Sequence, residues 1–234
     1  MKKSEALWPV IGLPFLMAVF AGLALADTST THSRICPAGP MKFLGRVTIN
    51  SSPDRQYVSA SIQVWKGGVK AVNGRMTLLE ASLRCDENLY HGSKNGTTLG
   101  AGSMVPVVFQ PPWIGLPAWT ATLAAPLPIR FGTPPPGARI RVGGPGTLTI
   151  AWSGGTPPYK LSIYYLDGGR PTLLLAEDSL AAGRTGIPLT RFTRGRTYEI
   201  DVADGERRYS FDREVDPATK LVLNQTAMTW FEAY

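Results

Sequence analysis

Along residues 145–166, apolar and polar positions alternate with a period of two on either side of a turn. Leu148, Ile150 and Trp152 share one face, Leu161, Ile163 and Tyr165 share another, and Gly154, Gly155, Pro157 and Pro158 stand between them. Successive side chains of a strand point to opposite faces, so the pattern predicts two half-buried strands around a turn. The same period marks strands upstream at 46–49, 57–65, 69–72, 75–79, 81–85 and 104–109, with Asn73-Gly74 and Asn95-Gly96 among the separators. Downstream it marks 139–142, 147–152, 159–166, 171–176, 186–189, 197–202 and 207–211. The end of the chain reads differently. Asp216 and Pro217 suit an N-cap and a first helical position, and Leu221, Met228 and Phe231 are spaced for one helical face, which predicts a helix over 216–234.

Glycine (25) and proline (20), set against only 18% charged residues, suit many short strands better than long helices. Eight prolines crowd into residues 111–136 beside Trp113 and Trp119. Such a segment is a semi-rigid connector whose aromatics pin it to a neighbouring domain, the alternative being an exposed aromatic platform for a sugar or peptide. The expected order is a leader (1–26), a β-rich domain (27–110), the connector (111–137), a seven-stranded sandwich (138–215) and the terminal helix (216–234).

The leader has the parts of a secretory signal: Lys2 and Lys3, an uncharged run from Leu7 to Leu25, and small residues at Ala24 and Ala26. Pro9 and Pro14 disfavour a spanning helix, so cleavage after Ala26 and a periplasmic or secreted location are expected, with no stable membrane span afterwards. An uncleaved anchor is the alternative. Cleavage takes the net charge from +7 to +6 by removing two lysines and one glutamate, so the mature chain stays basic. The two cysteines, Cys36 and Cys85, then enter an oxidising compartment, where a disulfide closing a 50-residue loop would stabilise by roughly 4 kcal/mol in the chain-entropy model.

Two resemblances bear on the fold. The segment from Leu189 to Gly205, with Phe192 six positions before Tyr198 and then Ile200 and Val202 alternating, resembles the entry to strand F of fibronectin type III domains. In that family the bulky residue packs inward and the tyrosine hydroxyl bonds back to the corner backbone. Trp152 matches the family's core tryptophan, so the resemblance implies structural roles for Trp152 and Tyr198. The Gly154-Gly155-Thr-Pro-Pro-Tyr159 turn is similar to repeat modules of bacterial surface proteins, which are also sandwiches. In the N-terminal half, Gly45-Arg46-Val47, Trp65 and the hairpin from Leu78 to Arg84 faintly resemble FecR-like periplasmic β-domains. The fold class expected is all-β, a small N-terminal β-domain plus an immunoglobulin-like β-sandwich, with a short C-terminal helix.

Catalytic chemistry is sparse. His32 and His91 have no histidine or cysteine at metal-ligand spacing, and neither a nucleophile elbow nor a phosphate or dinucleotide loop is present. Gly143-Gly144-Pro145-Gly146 precedes a strand rather than a helix, so it lacks the dipole of a phosphate cradle. The carboxylate pairs Asp86 and Glu87, Glu177 and Asp178, and Asp204 and Glu206 are neighbours in expected turns, whereas glycoside hydrolysis needs carboxylates facing one another across a cleft. No cofactor or metal is expected. Six arginines lie between 184 and 208, and Arg194, Arg196, Arg207 and Arg208 are the candidate face for an anionic envelope polymer or an acidic protein surface, the alternative being that they guard strand edges from aggregation. Glu199 and Asp201 interrupt that basic field, which disfavours nucleic acid.

The expectation is an exported, non-enzymatic scaffolding or recognition protein of the bacterial cell envelope. Two alternatives stand beside it: a signalling or regulatory module built on the FecR-like part, and an enzyme relying on scattered carboxylates.

Overall fold

The structure is a computed structural model that describes residues 36–167 and 170–234, so the leader and His32 lie outside the described residues. β1 (Met41–Ser51) and β2 (Gln56–Lys66) bury Met41, Phe43, Val47 and Ile49 and then Val58, Ala60, Ile62 and Val64 at period two. Gly45 interrupts the first row because a Cβ there would stand 2.2 Å from the Ser61 carbonyl oxygen of the adjacent strand. β3 (Val69–Lys70), β4 (Arg75–Leu78), β5 (Ala81–Ser82), β6 (Arg84–Asp86), β7 (Leu89–Asn95), β8 (Val107–Gln110) and β9 (Trp119–Thr122) complete the first half. Then come β10 (Arg130–Thr133), β11 (Ala138–Ile140), β12 (Thr147–Ser153), β13 (Tyr159–Asp167), β14 (Arg170–Leu180), β15 (Arg184–Pro188), β16 (Thr197–Ala203), β17 (Arg207–Arg208), β18 (Ser210–Phe211) and β19 (Lys220–Ala233).

One large sheet runs β14-β13-β16-β19-β1-β2-β7-β6, with β11 and β17 also on β19 and β3 on β2. Two smaller sheets cover it: β18-β9-β8-β4-β5 over the first half and β10-β12-β15 over the second. The result is two sandwiches in series, each with its own core. Phe43, Tyr90 and Phe109 pack edge to face in the first, and Trp152, Phe192, Tyr198 and Phe231 fill the second. In the second, three strands face four across the core, the arrangement of an immunoglobulin-like sandwich.

The terminal segment is a fourteen-residue strand and not the expected helix. Val222, Thr226, Thr229, Trp230 and Phe231 are β-branched or aromatic residues that favour the pleated surface. Leu221 and Phe231 face the cores, while Met228, an odd number of positions from both, points to the opposite face. The capping chemistry at Asp216 is real but launches a strand: Ala218 N–H donates to Asp216 Oδ1 at 2.7 Å, and Thr219 N–H donates to its carbonyl at 2.8 Å, closing a turn.

β19 also replaces the strand expected at 207–211 as the closing strand of the second sandwich. Residues 207–208 join the large sheet as β17, and 210–211 cross to the first sandwich as β18. One edge of β19 pairs in parallel with β1 through Ala227 and then with β11 from Phe231; its other edge pairs antiparallel with β17 and then β16. Leu221 and Leu223 enter the first core, and Ala227, Phe231 and Ala233 the second. The proline-rich segment 111–137 likewise carries β9 and β10, with Trp113 and Trp119 buried in the first core rather than displayed.

Where the sandwiches meet, a buried polar network fixes the chain. Gln225 N–H and Nε2 donate to the two carboxylate oxygens of Asp204 at 2.6 and 3.2 Å, Gln225 Nε2 also donates to the Leu127 carbonyl, and Ile129 N–H donates to Gln225 Oε1. Burial pushes the Asp204 carboxyl above its ordinary range, against the pull of these donors and of Arg207.

Candidate functional site

The corner before β16 is built by Phe192 and Tyr198. Both are buried, their rings stand edge to face at 5.0 Å, and Thr193 N–H donates to the Tyr198 hydroxyl at 2.7 Å. Trp152 is buried with its ring edge to face against Tyr159 at 5.5 Å. Cys36 and Cys85 are free thiols, each half-buried against the first core and each directed to a nearby carbonyl, of Pro37 and Glu87. The bridge expected between them is not formed in this structure. His91 Nε2 lies 2.6 Å from Asp86 Oδ2 on an exposed rim, and Cys85, between Arg84 and Asp86 on a strand, points away from that pair into the sandwich. Among the described residues no three histidine, cysteine or carboxylate side chains are grouped to hold a metal.

The four candidate arginines do not share a face. Gly195 and Arg196 bond to Ala233, whereas Arg207 lies opposite Leu223, ten residues back along β19, a separation of roughly 33 Å at the rise of a strand. Arg207 and Arg208 also diverge. Arg207 is on the core side with Leu223, where its Nε and Nη2 are buried without an acceptor among the described residues, and of the two only Arg208 is exposed. Arg194 and Arg196 instead gain neighbours that sequence separation hid: Arg139 lies beside Glu232 on β11, Arg141 follows, and Arg194 Nε donates to the Val142 carbonyl. Arg139 covers the Tyr234 ring at 5.1 Å, and Arg196 covers Tyr165 at 4.3 Å.

Arg139 and Arg141 border the face of β14-β13-β16-β19 that no second sheet covers among the described residues, whereas Arg196, two positions from the core-facing Tyr198 and stacked on Tyr165, lies on the core side. Directly opposed residues of antiparallel strands point the same way. The register therefore aligns Leu173, Tyr164, Glu199 and Trp230 in one row and Ala176, Ser162, Asp201 and Met228 in the next. Of the eight large apolar side chains exposed among the described residues, Leu166, Leu173, Trp230 and Tyr234 lie on this face. The β1–β2 hairpin rises beside it. Asp54, Arg55 and Tyr57 form one wall of a groove of about 550 Å³, with Glu199, Asp201, Met228 and Trp230 as the other.

Glu199 and Asp201 have no ion-pair partner among the described residues. Burial in the groove, and secondarily the neighbouring Glu199 charge, push the Asp201 carboxyl up to about 6. A partly buried Asp201 with Glu199 beside it, next to exposed aromatic and aliphatic surface, is arranged to receive a cationic group together with apolar contact. Sequence alternation placed Glu199 and Asp201 outward, but their grouping with Trp230 and Met228 depends on a strand that reads as a helix.

No protein-family model matches the chain, and no curated protein matches it, so the FecR-like resemblance extends no further than the residues that carry it. Among solved structures the chain is similar to an I-band fragment of titin, at 12% identity and a TM-score of 0.25 over 83% of this chain; it spans just under two thirds (66%) of that fragment. It is also similar to the three N-terminal domains of the highly immunogenic outer capsid protein of bacteriophage RB49, at 12% identity and a TM-score of 0.29 over 82% of this chain and 70% of that one. The fibronectin(III)-like modules of Clostridium thermocellum CbhA align at 10% identity and a TM-score of 0.24 over 82% of this chain and 94% of theirs.

Proposed function

We propose that this chain is an exported, non-catalytic recognition module that holds a protein partner on the open face of its second sandwich. The observation that carries the reading is the composition of that face: among the described residues, half of the exposed large apolar side chains, a carboxylate row without an ion pair, and Arg139 with Arg141 lie together on one sheet face that no second sheet covers. Apolar surface ringed by charge marks an interaction site. Charges of both signs suit a protein partner better than a long polyanion, which would meet Glu199, Asp201 and Glu232 as well as the arginines.

Co-sedimentation with the native envelope fraction tests this. Trp230→Ser combined with Leu173→Ser, both exposed positions, should keep the fold by circular dichroism and lose most of the binding; equal binding by the double variant would refute the site. Export is tested on the same material: the chain should begin at Asp27, and a chain that keeps its first 26 residues would refute export.

A second, catalytic reading is favoured by one feature. Asp201, raised toward 6, faces Asp54 of a separate element across the groove, the disposition that neighbouring turn carboxylates lack. Turnover in a broad glycoside hydrolase screen, lost in Asp201→Asn, would establish it in place of the first.

A further inference from the structure

The open face carries both halves of a complementary pair. Its carboxylate row, Glu199 and Asp201 on β16, is displaced along and across the sheet from its arginine row, Arg139 and Arg141 at β11. Between the rows stand Trp230 and Tyr234, with Leu166 and Leu173 toward the edge strand. The local charges are incompletely matched within one molecule. Arg139 has a 4.0 Å contact to Glu232 and covers the Tyr234 ring. Glu199 and Asp201 have no ion pair among the described residues, while Lys160 and Asp178 at the far corner pair with each other.

From this arrangement we infer that the occupant of the face is a second copy of this chain, docked face to face about a two-fold axis that runs between the two rows. The inference rests on the recognition reading and names its partner. A two-fold contact uses the same patch twice, so a surface with acid on one side of a line and base on the other is satisfied by its own rotated image. Each carboxylate row then meets the other copy's arginines, and the aromatic and leucine side chains meet near the middle. The sheet presents four strands over about seven residues, roughly 19 Å by 23 Å. That footprint is small beside the ~800 Å² per partner of a standard interface, so a reversible, concentration-dependent dimer is expected.

The sheet edges offer a poorer route to self-association. β6 is three residues long, and β14 carries Pro171, two register shifts and the charges of Arg170, Glu177 and Asp178, the devices that keep edge strands from adding neighbours.

Sedimentation velocity over a concentration series tests the inference. Glu199→Arg and Arg139→Glu should each weaken self-association by roughly tenfold or more, since each places like charges across the axis. Mixing the two single variants should restore a dimer tighter than either forms alone, because each reversed charge then finds its opposite in the other copy. A wild-type chain that stays monomeric to about 1 mM, a thousandfold above a typical micromolar contact, would overturn the inference. So would self-association indifferent to both reversals and to their mixture. A monomeric chain that still co-sediments with the envelope fraction through Trp230 and Leu173 would overturn only the self-pairing and leave the recognition site standing.

Discussion

Tyr198 holds its corner through a single hydroxyl, and the cost of losing it can be bounded. Tyr198→Phe strands the Thr193 N–H in a partly buried site and should cost about 1 kcal/mol or somewhat more, whereas Trp152→Ala empties a core position and should cost about 3–5 kcal/mol. Urea unfolding of both variants checks the order; a Trp152→Ala variant as stable as wild type would mean the second core does not depend on that ring. Asp201 predicts a pH effect of definite sign. Its carboxyl is raised from 3.8 to about 6 in the fold, so the folded state holds its proton more tightly than the unfolded chain does. The contribution to stability is therefore fully present below about pH 4 and is lost as pH rises through 6. Asp201→Asn should gain on wild type between pH 4 and pH 7 in urea midpoint; a constant difference would refute the shift. These residues differ in how legible they were. The tyrosine corner lies within seven consecutive positions, so the sequence carried it. The arginines are not legible in this way, because proximity in sequence does not say which end of β19 each meets, or that Arg207 turns to the core side.

β19 is the element on which the fold turns, and it is the one the sequence concealed. A helical spacing and a cap-like Asp-Pro pair both occur at its start, yet the cores on either side of the junction each lack a central strand until it is inserted. Lattice-like pairing on both edges, parallel to β1 and β11 and antiparallel to β17 and β16, overrides the local signal. Such long-range pairing has no signature in a single-sequence period, while the local alternation of β1, β2, β12, β13 and β16 does, which is why those strands were legible and the closing strand was not. A chain ending at Val215 removes Leu221 and Leu223 from one core and Ala227 and Phe231 from the other. Burial of each large side chain contributes about 1.5–3 kcal/mol, against a total stability of about 5–15 kcal/mol. Neither half should then fold, as read by loss of dispersed amide signals in both; a folded first or second sandwich in the truncated chain would show that β19 is dispensable there.

At the scale of the molecule, the shared strand and the Asp204–Gln225 network join two sandwiches into one body, and this fixes the hairpin of Asp54 and Arg55 beside Glu199 and Trp230. The groove is thus a product of the junction, and neither sandwich would form it alone. The location of that site was outside the reach of the sequence, since its walls come from residues 54–57, 199–201 and 226–230, brought together only by the placement of β19. Recognition through this face is the central claim, and hydroxyl-radical footprinting of Trp230 and Met228 tests it most directly. In dilute purified protein both side chains should label in proportion to their exposure, and addition of the native envelope fraction or concentration of the chain itself should protect them while Ile114, exposed on the other sandwich, stays unchanged. Labelling of Trp230 and Met228 that stays the same under every condition would contradict the account.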